Sequence, residues 1–227
     1  MVETIANKDK DIEKEDKIIH NVLKSEASKK GIQSAGIAGV FRGAYHGNIK
    51  TKQGGEENVI NSHSGYDMAH ELGHYHYRNE KDAGKVGKAA HKLYIGSAPH
   101  AYLTLTSGIT DGIVSGIRKA NKEEKGKKES KLSKLSPALT SLLVSSPMLT
   151  SEAAASIHGL KELKKQGASQ KYLDYAKKDL AKAWGSYAKI PILSTLGGYG
   201  AKAAAYGITK GIKKLKKKRK EKKENKE

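Results

Sequence analysis

Residues 67–74 read Asp67-Met68-Ala69-His70-Glu71-Leu72-Gly73-His74. Two histidines four positions apart fall on one face of a helix, one turn apart, so both imidazoles reach a single point. Glu71 projects beside that point, where a carboxylate takes a proton from a water attacking a carbonyl. Ala69 and Leu72 give the helix an apolar side, and Gly73 admits a close second helix. Two imidazoles on such a half-buried helix are costly without partners. The stretch predicts a helix from about Gly65 to Asn79 that carries a His-Glu-x-x-His metal site.

A catalytic zinc takes three protein ligands and keeps a fourth position open. The chain has no cysteine, so disulfides and thiolate ligands are excluded and Zn2+ must be held by His and carboxylate. The longer His-x-x-x-His-x-x-Gly-x-x-His pattern fails, because Tyr77 stands where Gly belongs and Glu80 where the third His belongs. This removes the metzincin class. Glu80 lies on or near the same helix and is badly placed to turn back to an ion. His63 and His76 are near in sequence but wrongly phased. His91, His100 and His158 stand isolated and read as surface or packed histidines.

Glu152 is the best remaining candidate. It sits in Ser151-Glu152-Ala153-Ala154-Ala155-Ser156, at a helix start whose small residues allow tight packing against the His helix. A carboxylate at a helix N-terminus stays ionised, as a ligand must. The same residue also fits as an ordinary first-turn acid after Ser151, and the residues alone leave both roles open.

Around these motifs the chain reads as mainly helical, of the α+β kind. Residues 1–31 form an N-terminal polar helix with Ile12, Ile18, Ile19, Val22 and Leu23 near helical spacing. Short strands are expected within 32–50, a polar turn at 51–57, and a second helical piece at about 82–95. Two apolar stretches, 98–117 and 135–149, flank a basic loop at 118–134, with Pro137 and Pro147 as punctuation. Helices follow at about 151–166 and 170–189, and Pro191 is expected to break the chain. Residues 32–208 would form one domain, and 209–227 a Lys-rich disordered tail.

At this point a resemblance enters. The chain resembles the neutral zinc metallopeptidases of the YugP-like family and, more distantly, the HtpX and CAAX-prenyl proteases. Those families place His-Glu-x-x-His on one helix, then an apolar helical hairpin, then a helix with a third Glu in the form Glu-x-x-Ala-Ser. Here Glu152-Ala153-Ala154-Ala155-Ser156 follows two apolar stretches. The likeness covers roughly residues 36–205. It implies a zincin-like helical metallopeptidase domain of gluzincin type, with a small strand region before the His helix. It implies His70, His74 and Glu152 as zinc ligands, Glu71 as general base, and a protein or peptide substrate. Tyr187, in a helix the family shares, and His158 are the candidates to stabilise an oxyanion. The apolar stretches are shorter and more polar than the family's membrane helices.

The net charge of +19 is concentrated: 118–134 and 209–227 supply +13 of it. These runs would attract an anionic membrane surface or nucleic acid without sequence preference. They motivate a second function: a non-enzymatic basic protein, structural or packaged in a virus particle, on a metallopeptidase-like fold. No secretory signal is expected, since residues 1–30 are charged and lack an apolar core. Gly108, Gly112 and Gly116 would serve close helix packing in lipid or in a soluble hairpin. Asp111 within 98–117 and Lys202 within 190–208 weigh against spanning segments. A cytoplasmic or peripheral location is expected over an integral one.

Overall fold

A computed structural model describes residues 2–34, 45–50, 56–80 and 84–224. The elements are α1 (Val2–Lys29), β1 (Gln33–Ser34), β2 (Tyr45–Lys50), β3 (Glu56–Asn61), α2 (Gly65–Asn79), α3 (Lys85–Leu93), α4 (Ser97–Glu124), α5 (Lys131–Lys165) and α6 (Gln170–Glu224). The protein is mainly helical. Its three-stranded sheet has the order β1-β3-β2, with β1 parallel and β2 antiparallel to β3. Much of the expected strand region, 35–44, and of the expected turn, 51–55, lies outside the described residues. So do residues 81–83 of the second helical piece.

The chain divides into two units rather than one domain with appendages. The first comprises 1–94 and 147–185; the second comprises 95–146 and 186–227. In the first unit, Ile19, Leu23 and Ala27 recur every fourth residue on α1 and face inward. They meet Ile60 of β3, Met68, Ala69 and Leu72 of α2, Leu163 of α5, and Tyr172 and Ala176 of α6. The start of α2 is held by two side chains, one of them braced by a third. Ser64 caps it by accepting from Asp67 N at 3.1 Å. Asp16 accepts from Gly65 N at 2.8 Å and from the Tyr172 hydroxyl. This anchoring fixes the register of the helix that carries His70 and His74.

In the second unit the expected basic loop is mostly helix. Helix α4 runs to Glu124, the turn spans only 125–130, and α5 begins at Lys131. Gly126, at φ 66°, makes the reversal, and Lys127 N bonds Lys122 O at 2.8 Å across it. The three glutamates there are paired with lysines, mostly of α6, which ties the two helix ends together. Lys202 meets Glu129 at 2.6 Å and Lys210 meets Glu123 at 3.0 Å.

The prolines do not break the helices. Pro137 and Pro147 both lie inside α5. Each removes an N–H and leaves the carbonyl four residues earlier without its helical donor. Lys202 Nζ donates to Ser133 O at 2.7 Å, and Ser146 Oγ donates to Leu143 O at 2.9 Å. Both freed carbonyls are thus satisfied. Pro191 likewise sits inside α6, which continues to Glu224. The segment expected to be a disordered tail is therefore helical as far as it is described. Good helix formers and i,i+4 pairs, Lys217–Glu221 and Lys220–Glu224, support it. No described helix is long and apolar enough to cross a membrane.

Candidate metal centre

The centre lies where α2 packs on α5 in the first unit. The two helices approach as closely as backbones allow. A Cβ at Gly73 would sit 2.5 Å from Ala155 O, and one at Gly159 would sit 2.9 Å from His70 N. Only glycine at both positions lets Glu152 come down over the two imidazoles.

His70, His74 and Glu152 each offer one ligand atom, and these atoms all lie within 4.8 Å of one another. His70 Nε2 is 3.2 Å and His74 Nε2 is 3.6 Å from the same oxygen, Glu152 Oε2. Ligands at ordinary zinc bond lengths and tetrahedral angles stand about 3.3 Å apart. The donors are two imidazole nitrogens and one carboxylate oxygen, a set zinc accepts. The residues present therefore fit that ion.

Each ligand is held from behind. Tyr94 donates its hydroxyl to Glu152 Oε1 at 2.5 Å, which leaves Oε2 for the site. Ser156 Oγ lies 3.2 Å from His70 Nδ1. His74 Nδ1 lies 2.9 Å from His91 Nε2, and His91 Nδ1 lies 2.8 Å from Gly87 O. This last contact fixes a chain of tautomers. A carbonyl only accepts, so His91 carries its proton on Nδ1. Its Nε2 is then the acceptor, so His74 donates from Nδ1. The His74 Nε2 lone pair is left facing Glu152 and His70. Ser151 Oγ also touches His91 Nε2, at 3.0 Å.

The electrostatics follow from burial and pairing. Burial pushes the Glu152 carboxyl up, but the hydrogen bond from His70 and the charge that His74 and His70 carry when protonated outweigh it and hold it well below the usual range. Burial lowers His70, yet Glu152 and Glu71 raise it above its ordinary value. Burial raises Glu71, against the opposing pull of His74 and His70. His91 is pushed down to about 4 by burial, with neighbouring His74 adding to the effect. His91 is therefore neutral, as the tautomer chain requires. Glu71 and Glu152, at 5% and 3% exposed, are the only buried carboxylate residues among those described.

The other candidates from sequence fall elsewhere. His158 stacks on His76 at 4.2 Å between ring centroids, one helix face away from the ligands. Tyr187 belongs to α6 in the second unit. His76 and Lys30 bind Glu80, each at 2.5 Å, so Glu80 ends α2 instead of reaching the centre. His100 donates to Val144 O at 2.7 Å in the second unit. His91 is not the isolated residue it seemed. It comes from α3, 17 positions after His74, and no spacing rule links two helices across a turn. Tyr94 was missed for the same reason. Ser156 could have been found, because it stands four residues after Glu152 on the same helical face.

Ser156 also borders an apolar groove of about 250 Å³ between α5 and α6, walled by Ile157, Leu160, Leu180 and Trp184. No protein-family model matches the chain, and no curated protein or solved structure matches it at a significant level.

Proposed function

We propose that this protein is a zinc-dependent metallopeptidase of gluzincin type. The observation that carries the proposal is the convergence of His70, His74 and Glu152 on one point from helices 82 positions apart in the chain. Zinc, when bound there, would supply Lewis-acid polarisation of a peptide carbonyl and acidify a water molecule. Glu71 follows the first ligand directly and is buried, with no salt bridge to a lysine or arginine among the described residues. Its raised proton affinity suits a group that accepts a proton from water and returns it to the leaving amine. Tyr94, Ser156 and His91 keep the ligand atoms aimed.

The test is metal analysis of the purified chain together with cleavage of casein. Wild type should carry about one zinc per chain. Glu71→Gln should keep the metal and lose cleavage, while His70→Ala should lose both. Wild type without zinc, or cleavage that survives Glu71→Gln, would sink the proposal.

A further inference from the structure

The second unit has its apolar and polar residues reversed relative to a water-soluble bundle. No Leu, Ile, Val, Met or aromatic side chain among its described residues is buried. Of the 17 buried apolar residues of the chain's described part, Ala120 alone belongs to this unit. The same unit holds 19 of the 26 exposed large apolar residues. Its interior is instead Gly, Ser and Thr, with Pro137, Pro191, His100 and the lysine end of an ion pair. Gly112 packs on the Gly198 backbone, Ser141 and Ser194 share a hydrogen bond of 2.8 Å, and Lys202 reaches Glu129 at 2.6 Å. A helical bundle in water places its large apolar side chains inside, because their burial is the main driving force.

The outward face is also free of charge over a defined length. Within 98–117, 135–146 and 190–209 no charged side chain is exposed. Asp111 is half-buried and accepts from Ser136, and Lys202 is buried. The first and third segments are each about 30 Å long at 1.5 Å per residue, the thickness of a bilayer's hydrocarbon layer. Charge returns at one end. Lys and Arg outnumber Glu eight to three in 118–134 and ten to two in 210–224. These two runs meet in space, since Tyr206 and Lys213 bind Glu123 and Glu124.

An uncharged girdle shared by three helices, with a cationic rim at one end, identifies its solvent. A second copy of the chain would cover a patch on one or two helices. Exposed Leu and Ile are spread over α4, α5 and α6, as at Ile113, Leu142, Leu143, Leu193 and Leu196. We propose that lipid acyl chains cover this girdle and that the Lys-rich end lies against anionic headgroups. Small residues inside and freed carbonyls re-bonded by side chains are what helix packing in lipid demands. The hydropathy average that keeps each helix below the spanning threshold counts the inward Gly, Ser, Thr, Asp111 and Lys202. The proposal rests on the outward faces of the three helices taken together, not on the average hydropathy of any one of them.

The chain lacks cysteine, so single labels are simple to place. Full-length Ile113→Cys, Leu196→Cys and Lys128→Cys would each carry a bimane fluorophore. The probe is a phosphatidylcholine–phosphatidylglycerol vesicle with brominated acyl chains. The chain should float with the vesicles in high salt, with quenching at 113 and 196 but not at 128. Ile113→Lys combined with Leu196→Lys, both at exposed sites, should cut the bound fraction about tenfold or more with helicity unchanged by circular dichroism. Three results overturn the proposal. One is failure to float. Another is flotation that salt reverses and that leaves 113 and 196 unquenched. The third is a discrete lipid-free oligomer that shields both labels.

Discussion

Replacing His91 by Phe tests the metal centre through a residue that touches no metal. Phenylalanine keeps a ring in stacking distance of Tyr77, whose centroid lies 5.2 Å away at 23°. It removes the acceptor 2.9 Å from His74 Nδ1. His74 is only 6% exposed, so its N–H loses its partner in a place water does not easily reach. An unsatisfied buried donor costs about 1–3 kcal/mol, and the metal-free chain should lose stability of that order. The imidazole is also freed to rotate or to switch tautomer. Loss of such a supporting bond weakens metal binding on the order of 10–100-fold, or about 1.4–2.7 kcal/mol. His91→Gln, whose amide oxygen can accept from Nδ1, should recover most of the affinity. Zinc titration against a chromogenic chelator reads the affinity. Nitrogen-15 NMR of the metal-free wild type should show both His74 and His91 protonated on Nδ1. Equal zinc affinity in wild type and a folded His91→Phe would refute the positioning role, as would an Nε2-protonated His91. A wild type that binds no zinc would refute the centre itself, which is a different result.

Tyr94→Phe removes the 2.5 Å bond to Glu152 Oε1 and should weaken zinc about tenfold, read by the same titration. Gly73→Val pushes a side chain against Ala155 O, 2.5 Å from the Cβ position, and should destabilise the first unit by about 1–3 kcal/mol in urea unfolding while abolishing metal uptake. Lys202→Met strands Glu129 and the Ser133 carbonyl inside the second unit. Glu129 is half-buried, so losing its partner and the donor to Ser133 O should cost about 1–3 kcal/mol, and Lys202→Met with Glu129→Leu should cost clearly less in the same unfolding assay. Glu80 resists burial through bonds to Lys30 and His76, which hold its proton affinity below the ordinary value. Its stabilising effect is therefore complete above about pH 4.3 and is lost as pH falls through the lower folded value. Glu80→Gln should flatten that part of the acid limb in thermal melts, and an unchanged limb would show that the pairing is not stabilising.

The ligand helix was legible because its information is local. His70 and His74 are one turn apart and Gly73 announces the close neighbour, all within five residues of sequence. Glu152 was half legible. Its small neighbours suggested tight packing, but only the geometry of α5 over Gly73 and Gly159 brings its carboxylate to the imidazoles. His91 and Tyr94 were illegible, since their roles depend on how α3 folds back on α2. The boundaries that failed share one cause. Pro137, Pro147, Pro191 and the Lys runs are helix breakers or solvated tails by local rules. Those rules assume that no distant donor repairs the freed carbonyl and no distant acid pairs the lysine. Lys202 donating to Ser133 O and pairing with Glu129 breaks both assumptions with one side chain.

Lys202 also shows why the second unit cannot be judged from its hydropathy alone. Averaged along α6, a lysine among glycines and alanines reads as a polar helix with weak amphipathicity. Placed in the structure, it is 8% exposed and serves the interior. The one charge that most lowers the average therefore does not face the surroundings, while Ile192, Leu193, Leu196, Tyr199 and Ile208 do, among exposed glycine and alanine. The same amino-acid content arranged with Leu196 inward and Lys202 outward would be an ordinary soluble helix. What separates the two cases is direction, and direction is set by which face of α6 can lie against Gly108 and Gly112. Only the face with Ser194, Gly198 and Lys202, spaced every fourth residue, is small enough at its centre to pack there. The glycine row thus decides which side chains remain outside, and so what kind of solvent the unit is built to meet.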